Sequence, residues 1–381
     1  MNFVITFSFV FILFNTLQAL EIGQPDVNLR NTPVIKTGNL PQFVALTFDD
    51  AVNNELWEHL YKDLFTDLTD PYTRCDLKAT FFVSHNNTDY AKVNALHNDG
   101  HEIALHSFSH GGDQQDSEEL VRNFRMGRWM LEISQNVKNM VEHGFLPKDT
   151  NFGWRAPFLF TAGDESFSAL NRSNIMYDSS LSFYEKSWPY RLANVDKTQS
   201  CLIKPCPSRP DYLFYEAPLS VWQGIDGHVC AMMDACSYGS TEEEVFQTLM
   251  ANFQSFQSEG VPFPISLHGG ALNNGRIPHF RQAFEAFLQT LLAMRDVHFV
   301  TMRQLVEFVH SPMNSVQYMR MARRTCSIFR PKKPCSARRP ACEFKSRNGE
   351  NSVYLNTCAQ RCPSQRSEIR FNYYGQSCCG V

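Results

Sequence analysis

Four apolar segments of the sequence each end in side chains that could bind a metal ion or transfer a proton. Their β-branched and aromatic composition predicts four buried strands. Catalytic groups of β/α barrels lie at the carboxyl ends of different strands, so we expect these four ends to meet at one face of the protein. The candidate residues are Asp49 and Asp50 in FVALTFDD, His106 and His110 in IALHSFSH, Arg155 in FGWRAPF, and His268 in PISLHGG.

Asp50, His106 and His110 are the residue types of a zinc site. Two imidazoles and one carboxylate make a three-ligand catalytic site that leaves positions open for water. The four-residue spacing of the histidines would place both rings on one face of a helical turn. Taken separately, the histidine pair could be solvated or buried in a core, and the Asp-Asp pair could belong to a turn or a helix cap. The combination favours a metal site.

Asp49, Arg155 and His268 could supply a base, an orienting charge and an acid beside that metal. Successive side chains of a strand point in opposite directions, so Asp49 and Asp50 can have different roles. Arg155 stands in a Trp-Arg-Ala-Pro turn that could present its guanidinium to a carboxylate through paired hydrogen bonds. His268 precedes two glycines, which leave room for a substrate beside its ring. A surface arginine and a core histidine are the alternatives.

Predicted strands and helices alternate along the chain, which favours a parallel β/α architecture. The predicted strands are Phe43–Phe48, Ala79–Val83, Ile103–Leu105, Phe152–Trp154, Pro264–Leu267 and His298–Thr301. The predicted helices are Glu55–Leu68, Ser117–His143, Thr241–Ser258 and Arg281–Met294. Thr241 and Glu244 have the spacing of a capping box at the start of the third helix.

Charge and the N-terminal residues restrict the partners and the compartment. The chain has 35 Lys and Arg against 39 Asp and Glu, which gives a formal charge of −4. It therefore offers no positive electrostatic field that would attract nucleic acid or anionic lipid, and a neutral or weakly charged partner fits better. Residues 1–20 are typical of a signal peptide cleaved after Ala19 or Leu20; a buried strand or an uncleaved anchor is the alternative. Two sequons, at Asn86 and Asn171, are compatible with an exported glycoprotein.

The twelve cysteines all follow the N-terminal segment, so disulfides are expected in an exported chain. Seven of them lie between residues 326 and 379, where we see no helical or strand period. We therefore expect a catalytic domain at 41–310 and a small disulfide-rich extension at 311–381. Local pairing is possible for Cys201 with Cys206 and for Cys230 with Cys236, and separate partners are expected for Cys378 and Cys379.

Five motifs resemble those of carbohydrate esterase family 4, the polysaccharide deacetylases with a NodB-homology domain. They are TFDDA at 47–51, HSFSH at 106–110, RAPF at 155–158, YDSS through WPY at 177–190, and LH at 267–268. The resemblance runs from about Pro41 to Val309. The segments around Glu216, Cys230 and Asp234, and the tail around Cys358, are similar to the chitin deacetylases of arthropods and nematodes.

The resemblance implies an α/β fold, a distorted and incomplete (β/α) barrel with a small Cys-rich C-terminal extension. It implies that Asp50, His106 and His110 bind Zn²⁺ or another divalent ion such as Co²⁺. Asp49 would be the general base, Arg155 would orient it, and His268 would be the general acid. The substrate-binding residues that it implies are Pro157, Phe158, Asp178, Trp188, Tyr190 and Leu267.

The implied function is that of a secreted, zinc-dependent chitin deacetylase of the cuticle or another extracellular matrix, which hydrolyses N-acetyl groups of N-acetylglucosamine polymers and releases acetate. A catalytically weak or inactive chitin- or glycan-binding matrix protein is the alternative. A xylan or peptidoglycan deacetylase is a second one. Gly269-Gly270-Ala271-Leu272 follows His268 where relatives usually have an aromatic residue, which predicts the loss of a stacking platform for a sugar ring.

Overall fold

The computed structural model of the protein describes residues 40–111, 121–192, 200–209, 211–326, 334–335, 341–345 and 352–363. The predicted signal peptide and the pair Cys378 and Cys379 lie outside these residues. No helix in these ranges is long and apolar enough to cross a bilayer.

The apolar segments form strands as predicted, with ends shifted by one or two residues. In chain order the strands are β1 Gln42–Asp49, β2 Thr80–Val83, β3 Glu102–Leu105, β4 Gly153–Trp154, β5 Tyr177–Asp178, β6 Ser182–Phe183, β7 Tyr190–Arg191, β8 Tyr215–Glu216, β9 Leu219–Ser220, β10 Trp222–Gln223, β11 Val229–Cys230, β12 Phe263–His268, β13 Val297–Phe299, β14 Ala341–Lys345 and β15 Ser352–Asn356. Every residue of β1 except Gln42 is buried, as expected for a strand covered on both faces.

Nine of the described strands form one sheet in the order β12-β1-β2-β3-β4-β5-β8-β7, and β13 pairs with the first three residues of β1. All of these pairs are parallel except that of β7 with β8. The carboxyl ends of the parallel strands therefore lie at one edge of the sheet, where the candidate residues stand.

The sheet curls into an open barrel, and Arg155 shows this directly. In a flat sheet, β4 would lie about 14 Å from β1, at ~4.8 Å per strand, which is beyond the reach of an arginine side chain. Yet Arg155, which directly follows β4, bonds Thr47 and Asp49 of β1 and Ser266 of β12. The two sides of the sheet must therefore face each other, and the barrel stays open between β12 and β7. This confirms the predicted fold.

Helices cover the outside of the sheet. In the described part of the chain they are Asn54–Leu56, continued by a π-helical turn Trp57–Tyr61 and by Lys62–Leu64, then Tyr90–Asn98, Met126–Glu142, Asp164–Arg172, Glu242–Glu259, Phe280–Leu292, Met302–His310 and Ser315–Cys326. The predicted capping box at Thr241 and Glu244 is confirmed, because both of its reciprocal hydrogen bonds are present. The first predicted helix ends at Leu64 instead of Leu68.

The C-terminal region is better ordered than its sequence suggests. β14 and β15 form an antiparallel hairpin in a stretch where we had expected no strand period. Asn356 donates two hydrogen bonds to Asp89 Oδ2, at 3.1 Å and 2.9 Å, and the backbone N–H of Cys358 donates to the carbonyl of His143 at 2.9 Å. These contacts fix the hairpin against the helix that Asp89 caps.

Five disulfides lie within the described residues. Both local pairs that the spacing allowed are formed. The pairs are Cys75–Cys326, Cys201–Cys206, Cys230–Cys236, Cys335–Cys358 and Cys342–Cys362. The first joins the chain after helix Asn54–Leu64 to the end of the last helix, across 251 residues.

Candidate metal centre

Asp50, His106 and His110 meet beyond the carboxyl ends of β1 and β3. Asp50 Oδ1 lies 3.0 Å from His110 Nε2 and 3.5 Å from His106 Nε2. One ligand atom from each residue lies within 4.8 Å of the other two. Although desolvation raises it, the pKa of Asp50 is held well below its usual range by hydrogen bonds to the two histidines. The carboxylate is therefore ionised and ready to bind a cation.

The Arg155 backbone carbonyl sets the direction of the His106 ring. It lies 2.9 Å from Nδ1 and accepts the proton of that nitrogen when the ring is neutral. Nε2, which lies on the side of Asp50, is then the ring nitrogen available to a metal ion. Metal-binding histidines are commonly oriented in this way by a partner on the other ring nitrogen.

The two histidines are joined by a loop and not by the helical turn that we predicted. Ser107 and His110 both have positive φ, 65° and 46°. Hydrogen bonds hold this conformation. Ser107 Oγ accepts from the His110 N–H at 2.9 Å, and Asn136 donates to the Ser107 carbonyl at 2.6 Å. Glu132 accepts from both the N–H and the hydroxyl of Ser109, each at 2.6 Å. The spacing predicted the proximity of the rings correctly but the backbone wrongly.

Asp49 points into the barrel and forms a buried ion pair with Arg155. The Nη1 to Oδ1 distance is 2.6 Å, and the side chains are 3% and 0% exposed. A single nitrogen of Arg155 contacts Asp49, so the paired bond that we expected is absent. The other bonds of the guanidinium go to Thr47, Ser179 and Ser266. These bonds fix the guanidinium, which therefore holds Asp49 in one position.

His268 lies on the other side of the same site. The register of β1 and β12 places it opposite Asp49, and its Nε2 lies 3.9 Å from Asp50 Oδ2. Its Nδ1 donates to Asp234 Oδ2 at 2.9 Å. Burial alone would lower the pKa of His268, but the hydrogen bond and charge of Asp234, together with Asp49 and Asp50, raise it to about 9. The ring is thus a cation at neutral pH.

Sequence reasoning missed the role of Asp234. This residue lies in a short 3₁₀ turn, Met233–Ala235, inside the loop closed by the disulfide Cys230–Cys236. The turn packs beside β12, where Asp234 also accepts from the His268 N–H at 3.4 Å. The cysteines on either side of Asp234 were the available signal, since they indicate a loop held in one conformation.

Phe158 reaches the site, as the family resemblance implied. Its ring lies edge-on to His110, with 4.8 Å between the ring centroids. The residue is half-buried and has a positive φ of 57° in the turn Pro157–Leu159. Pro157 itself is buried and supports this turn, so it is not available to bind a substrate.

Asp178 and Leu267 were expected to bind substrate, but both side chains are fully buried in the structure. Leu267 lies in the hydrophobic core. Asp178 is bonded to Ser180 and Glu216 within the barrel. Burial raises the pKa of Asp178 to about 6, and burial and the charge of Asp178 raise the pKa of Glu216 well above its usual range. The two carboxyl groups form a structural pair that retains a proton.

Trp188, an expected substrate-binding residue, lies away from the candidate site. The Trp188 ring packs 6.1 Å from that of Phe43, at the start of β1, and its Nε1 donates to the Gly260 carbonyl. Asp49 is six residues further along β1, about 20 Å away at ~3.3 Å per residue. Tyr190 is buried opposite Glu216 in the antiparallel pair of β7 and β8. Tertiary packing thus places the Trp188 ring away from the groove that the motif implied.

The sequence is similar to those of known proteins. Residues 36–124 match the sequence model of the family described as polysaccharide deacetylase. Chitin deacetylase 1 of Bombyx mori is 28% identical over 349 residues, which cover 85% of this chain and 61% of that protein. Chitin deacetylase 8 of Bombyx mori is 28% identical over 306 residues, covering 77% of this chain and 78% of that protein. Residues 36–124 are thus similar to the polysaccharide deacetylase family, and a longer part of the chain is similar to the two chitin deacetylases.

The chain also aligns with solved structures at lower identity. A family 4 acetyl xylan esterase from Clostridium thermocellum, in complex with a cobalt ion, matches with a TM-score of 0.39 and 19% identity. The match covers 72% of this chain and 95% of that structure. The chain spans 61% of the length of the first curated relative, so its activity, substrate and partners are treated below as proposals.

Proposed function

We propose that this protein is a secreted, metal-dependent deacetylase that removes N-acetyl groups from chitin or a chitin-like polymer of N-acetylglucosamine. The observation that carries the proposal is the convergence of Asp50, His106 and His110 within 4.8 Å, with Asp49 and His268 beside them. The chitin deacetylases of Bombyx mori named above support the choice of substrate.

The three ligand residues fit a divalent ion of the zinc type. One carboxylate and two imidazoles are ligands that Zn²⁺ accepts, and Co²⁺ accepts the same set. The Arg155 carbonyl already orients His106 for this purpose. Such an ion, when bound, would lower the pKa of water toward neutrality and polarise the acetyl carbonyl.

Asp49 is the base in this proposal. The Arg155 contact holds its carboxylate in place, while its second oxygen is available to accept a proton from the attacking water. The oxygen of that water forms a bond to the acetyl carbonyl carbon as its proton passes to Asp49. Arg155 then stabilises the orientation of Asp49 without taking part in the proton transfer.

His268 is the acid. It is protonated at neutral pH because Asp234 supports the charge, and its Nε2 faces Asp50 and the reacting group. When the bond between the carbonyl carbon and the amide nitrogen breaks, His268 gives its proton to the departing nitrogen. The products are acetate and an amino sugar, and the proton on Asp49 returns to solvent or to His268 for the next turnover.

Secretion is supported by the disulfides. Five pairs in the described residues are expected of a chain that matures in an oxidising compartment. The N-terminal segment 1–20 and the sequons at Asn86 and Asn171 are consistent with export into an extracellular matrix.

A catalytically weak glycan-binding protein is the second candidate, and one observation favours it. A Cβ built on Gly270 would meet no atom within 4 Å, so the space beyond His268 is open where an aromatic side chain could have supported a sugar ring. A glycan bound there would lack that platform and could be held less firmly over the metal centre.

Acetate release from N-acetylglucosamine oligomers separates the two candidates. The purified protein is assayed as prepared, after treatment with a chelator, and after zinc is restored. Release that the chelator stops and zinc restores supports the deacetylase. No release at any oligomer length from zinc-loaded protein, with retained binding to chitin, would leave the glycan-binding candidate. His59→Ala is a matched control, because His59 is exposed and lies outside the site.

A further inference from the structure

Tyr61 is a buried tyrosine beside the metal centre that the mechanism above does not use. It is the last residue of the π-helical turn Trp57–Tyr61 and is 3% exposed. Its ring packs edge-on against Phe48 and Phe81, with centroid distances of 5.3 Å and 5.1 Å. Single π-helical turns often occur at functional sites, and here the turn directs a phenol toward the end of β1. The aromatic contacts fix where the hydroxyl lies.

Gly269 accommodates that hydroxyl. A Cβ added to Gly269 would lie 2.3 Å from the Tyr61 hydroxyl oxygen and 2.9 Å from Cζ, distances that no real side chain tolerates. Gly269 directly follows His268, so the hydroxyl lies beside the acid. The close approach of Tyr61 therefore requires a glycine at position 269.

The Tyr61 hydroxyl also lies close enough to Asp49 and Asp50 for their charges to affect its pKa. Burial raises the pKa of Tyr61 far above its usual range, and the charges of Asp50 and Asp49 raise it further. The phenol consequently keeps its proton throughout the physiological pH range and can act only as a neutral hydrogen-bond donor or acceptor.

Among the residues that the structure describes, the Tyr61 hydroxyl has no hydrogen-bond partner in the protein, and its oxygen keeps some contact with solvent. Tyr90 contacts His85 at 2.9 Å, Tyr177 donates to Glu102 at 2.8 Å, and Tyr238 donates to the Met233 carbonyl at 2.8 Å. A hydroxyl that has no protein partner and keeps contact with solvent can bond water or a ligand that enters the site.

We propose that the Tyr61 hydroxyl is a further catalytic group, which donates a hydrogen bond to an oxygen of the acetyl group, and then of the acetate product, held beside Asp49 and Asp50. This proposal rests on the proposed deacetylase function. Negative charge grows on the acetyl oxygen as water attacks, and a donor fixed in advance stabilises that charge more than the neutral ground state. Tyr61 would therefore act mainly on kcat.

Tyr61→Phe tests the proposal because it keeps the ring and removes only the hydroxyl. We expect kcat/KM for acetate release to fall by about 100-fold, the lower end of what one such donor contributes, with KM little changed. Thermal stability should be unchanged, since no hydrogen bond within the protein is removed. Tyr72→Phe is the control: its hydroxyl bonds the Ala293 carbonyl away from the site, and its activity should equal that of the wild type.

Acetate binding gives a second readout that does not depend on turnover. The visible spectrum of the Co²⁺-loaded protein is titrated with sodium acetate. Tyr61→Phe should bind the metal as the wild type does and show about 10-fold weaker acetate affinity, as expected for one lost hydrogen bond. A wild-type protein that releases no acetate would remove the proposed function, whereas equal kcat/KM and equal acetate affinity in wild type and Tyr61→Phe would remove the role of Tyr61.

Gly269→Ala distinguishes the hydroxyl from general packing. The added methyl should displace the Tyr61 hydroxyl and lower activity in the wild-type protein. In a Tyr61→Phe background the same substitution should cause a smaller further loss, because the closest contact is already gone. Two losses that simply multiply would show that Gly269 and the hydroxyl act independently and would contradict the proposal.

Discussion

His268 lies between two carboxylates, with Nδ1 at 2.9 Å from Asp234 Oδ2 and Nε2 at 3.9 Å from Asp50 Oδ2. Asp234 belongs to a disulfide-closed loop, whereas Asp50 belongs to the metal centre. One nitrogen of the ring thus anchors it to the scaffold, and the other faces the reacting group. This arrangement gives His268 both a fixed direction and a proton to donate.

Asp234→Asn should shift the alkaline limit of activity to lower pH. An acid must be protonated, so activity is lost as the pH rises through the pKa of His268, which Asp234 helps to raise to about 9. Without that charge the pKa falls and the loss begins earlier. The check is the pH dependence of kcat for the variant and for Asp226→Asn, a control from the same segment whose carboxylate bonds His228 and Ser237. Identical alkaline limits in the wild type, Asp234→Asn and Asp226→Asn would contradict the role of Asp234.

His106→Ala and His110→Ala should each remove the metal and the activity together. Two remaining ligands cannot hold a divalent ion as three do, so the zinc content per chain should fall well below that of the wild type. Metal content is measured by elemental analysis after dialysis, with His59→Ala as the control. Undiminished turnover by a metal-loaded His106→Ala protein would refute the assignment of this ligand.

Arg155→Met should destabilise the protein as well as inactivate it. The change leaves the Asp49 carboxylate buried without its partner, and removing one member of a buried ion pair lowers the free energy of unfolding by about 3–5 kcal/mol. Urea unfolding measures this loss. Adding Asp49→Asn to the variant should recover part of the stability but none of the activity. If the double variant were no more stable than Arg155→Met, the unpaired charge would not be the cause.

Glu216→Gln should raise stability at neutral pH and leave it nearly unchanged in acid. Burial, then the charge of Asp178, raises the pKa of Glu216 in the folded protein, so its contribution is complete below the unfolded value of 4.5 and is lost as the pH rises above it. Glutamine cannot ionise and avoids that loss. Thermal unfolding across this pH range should show Tm about 2–4 °C higher for the variant at neutral pH, with convergence in acid. A constant difference at every pH would point to packing instead.

The disulfide Cys75–Cys326 should contribute far more stability than Cys201–Cys206. It closes 251 residues, against five for the local pair, and in the chain-entropy account a longer loop gives a larger effect. Replacing both cysteines of the long-range pair by serine should lower the free energy of unfolding by about 2–5 kcal/mol. The same replacement of the local pair is the matched control, and equal losses from the two pairs would contradict the prediction.

The residues that converge on the candidate centre could be predicted because they end long apolar strands. β1 and β12 have clear buried patterns, and the polar residues that follow them could only lie at the carboxyl edge of the sheet. Their roles as ligands, base and acid remain predictions that the variants above test. The backbone between His106 and His110 could not be predicted, since positive φ angles at serine and histidine leave no pattern in sequence.

Other parts of the fold are too short or too polar to show a period. β5, β7 and β8 have two residues each, fewer than any alternation needs. The helix Tyr90–Asn98 was missed because it buries Asn94 and Asn98 on its inner face, where apolar residues would have shown the pattern. Contacts such as Asp234 with His268, or Trp188 with Phe43, depend on tertiary packing across more than 30 residues.

The pairing of β1 with β12 has a consequence for the order of events during synthesis. Asp49, Asp50, His106 and His110 all leave the ribosome in the first third of the chain, but the strand that sets His268 opposite Asp49 is made more than 150 residues later. A nascent chain can thus assemble a cation site well before it has an acid. Under the proposed mechanism, the acid reaches its place only when the late strand docks against the earliest one, so the growing polypeptide would gain deacetylase activity only when its barrel is nearly complete.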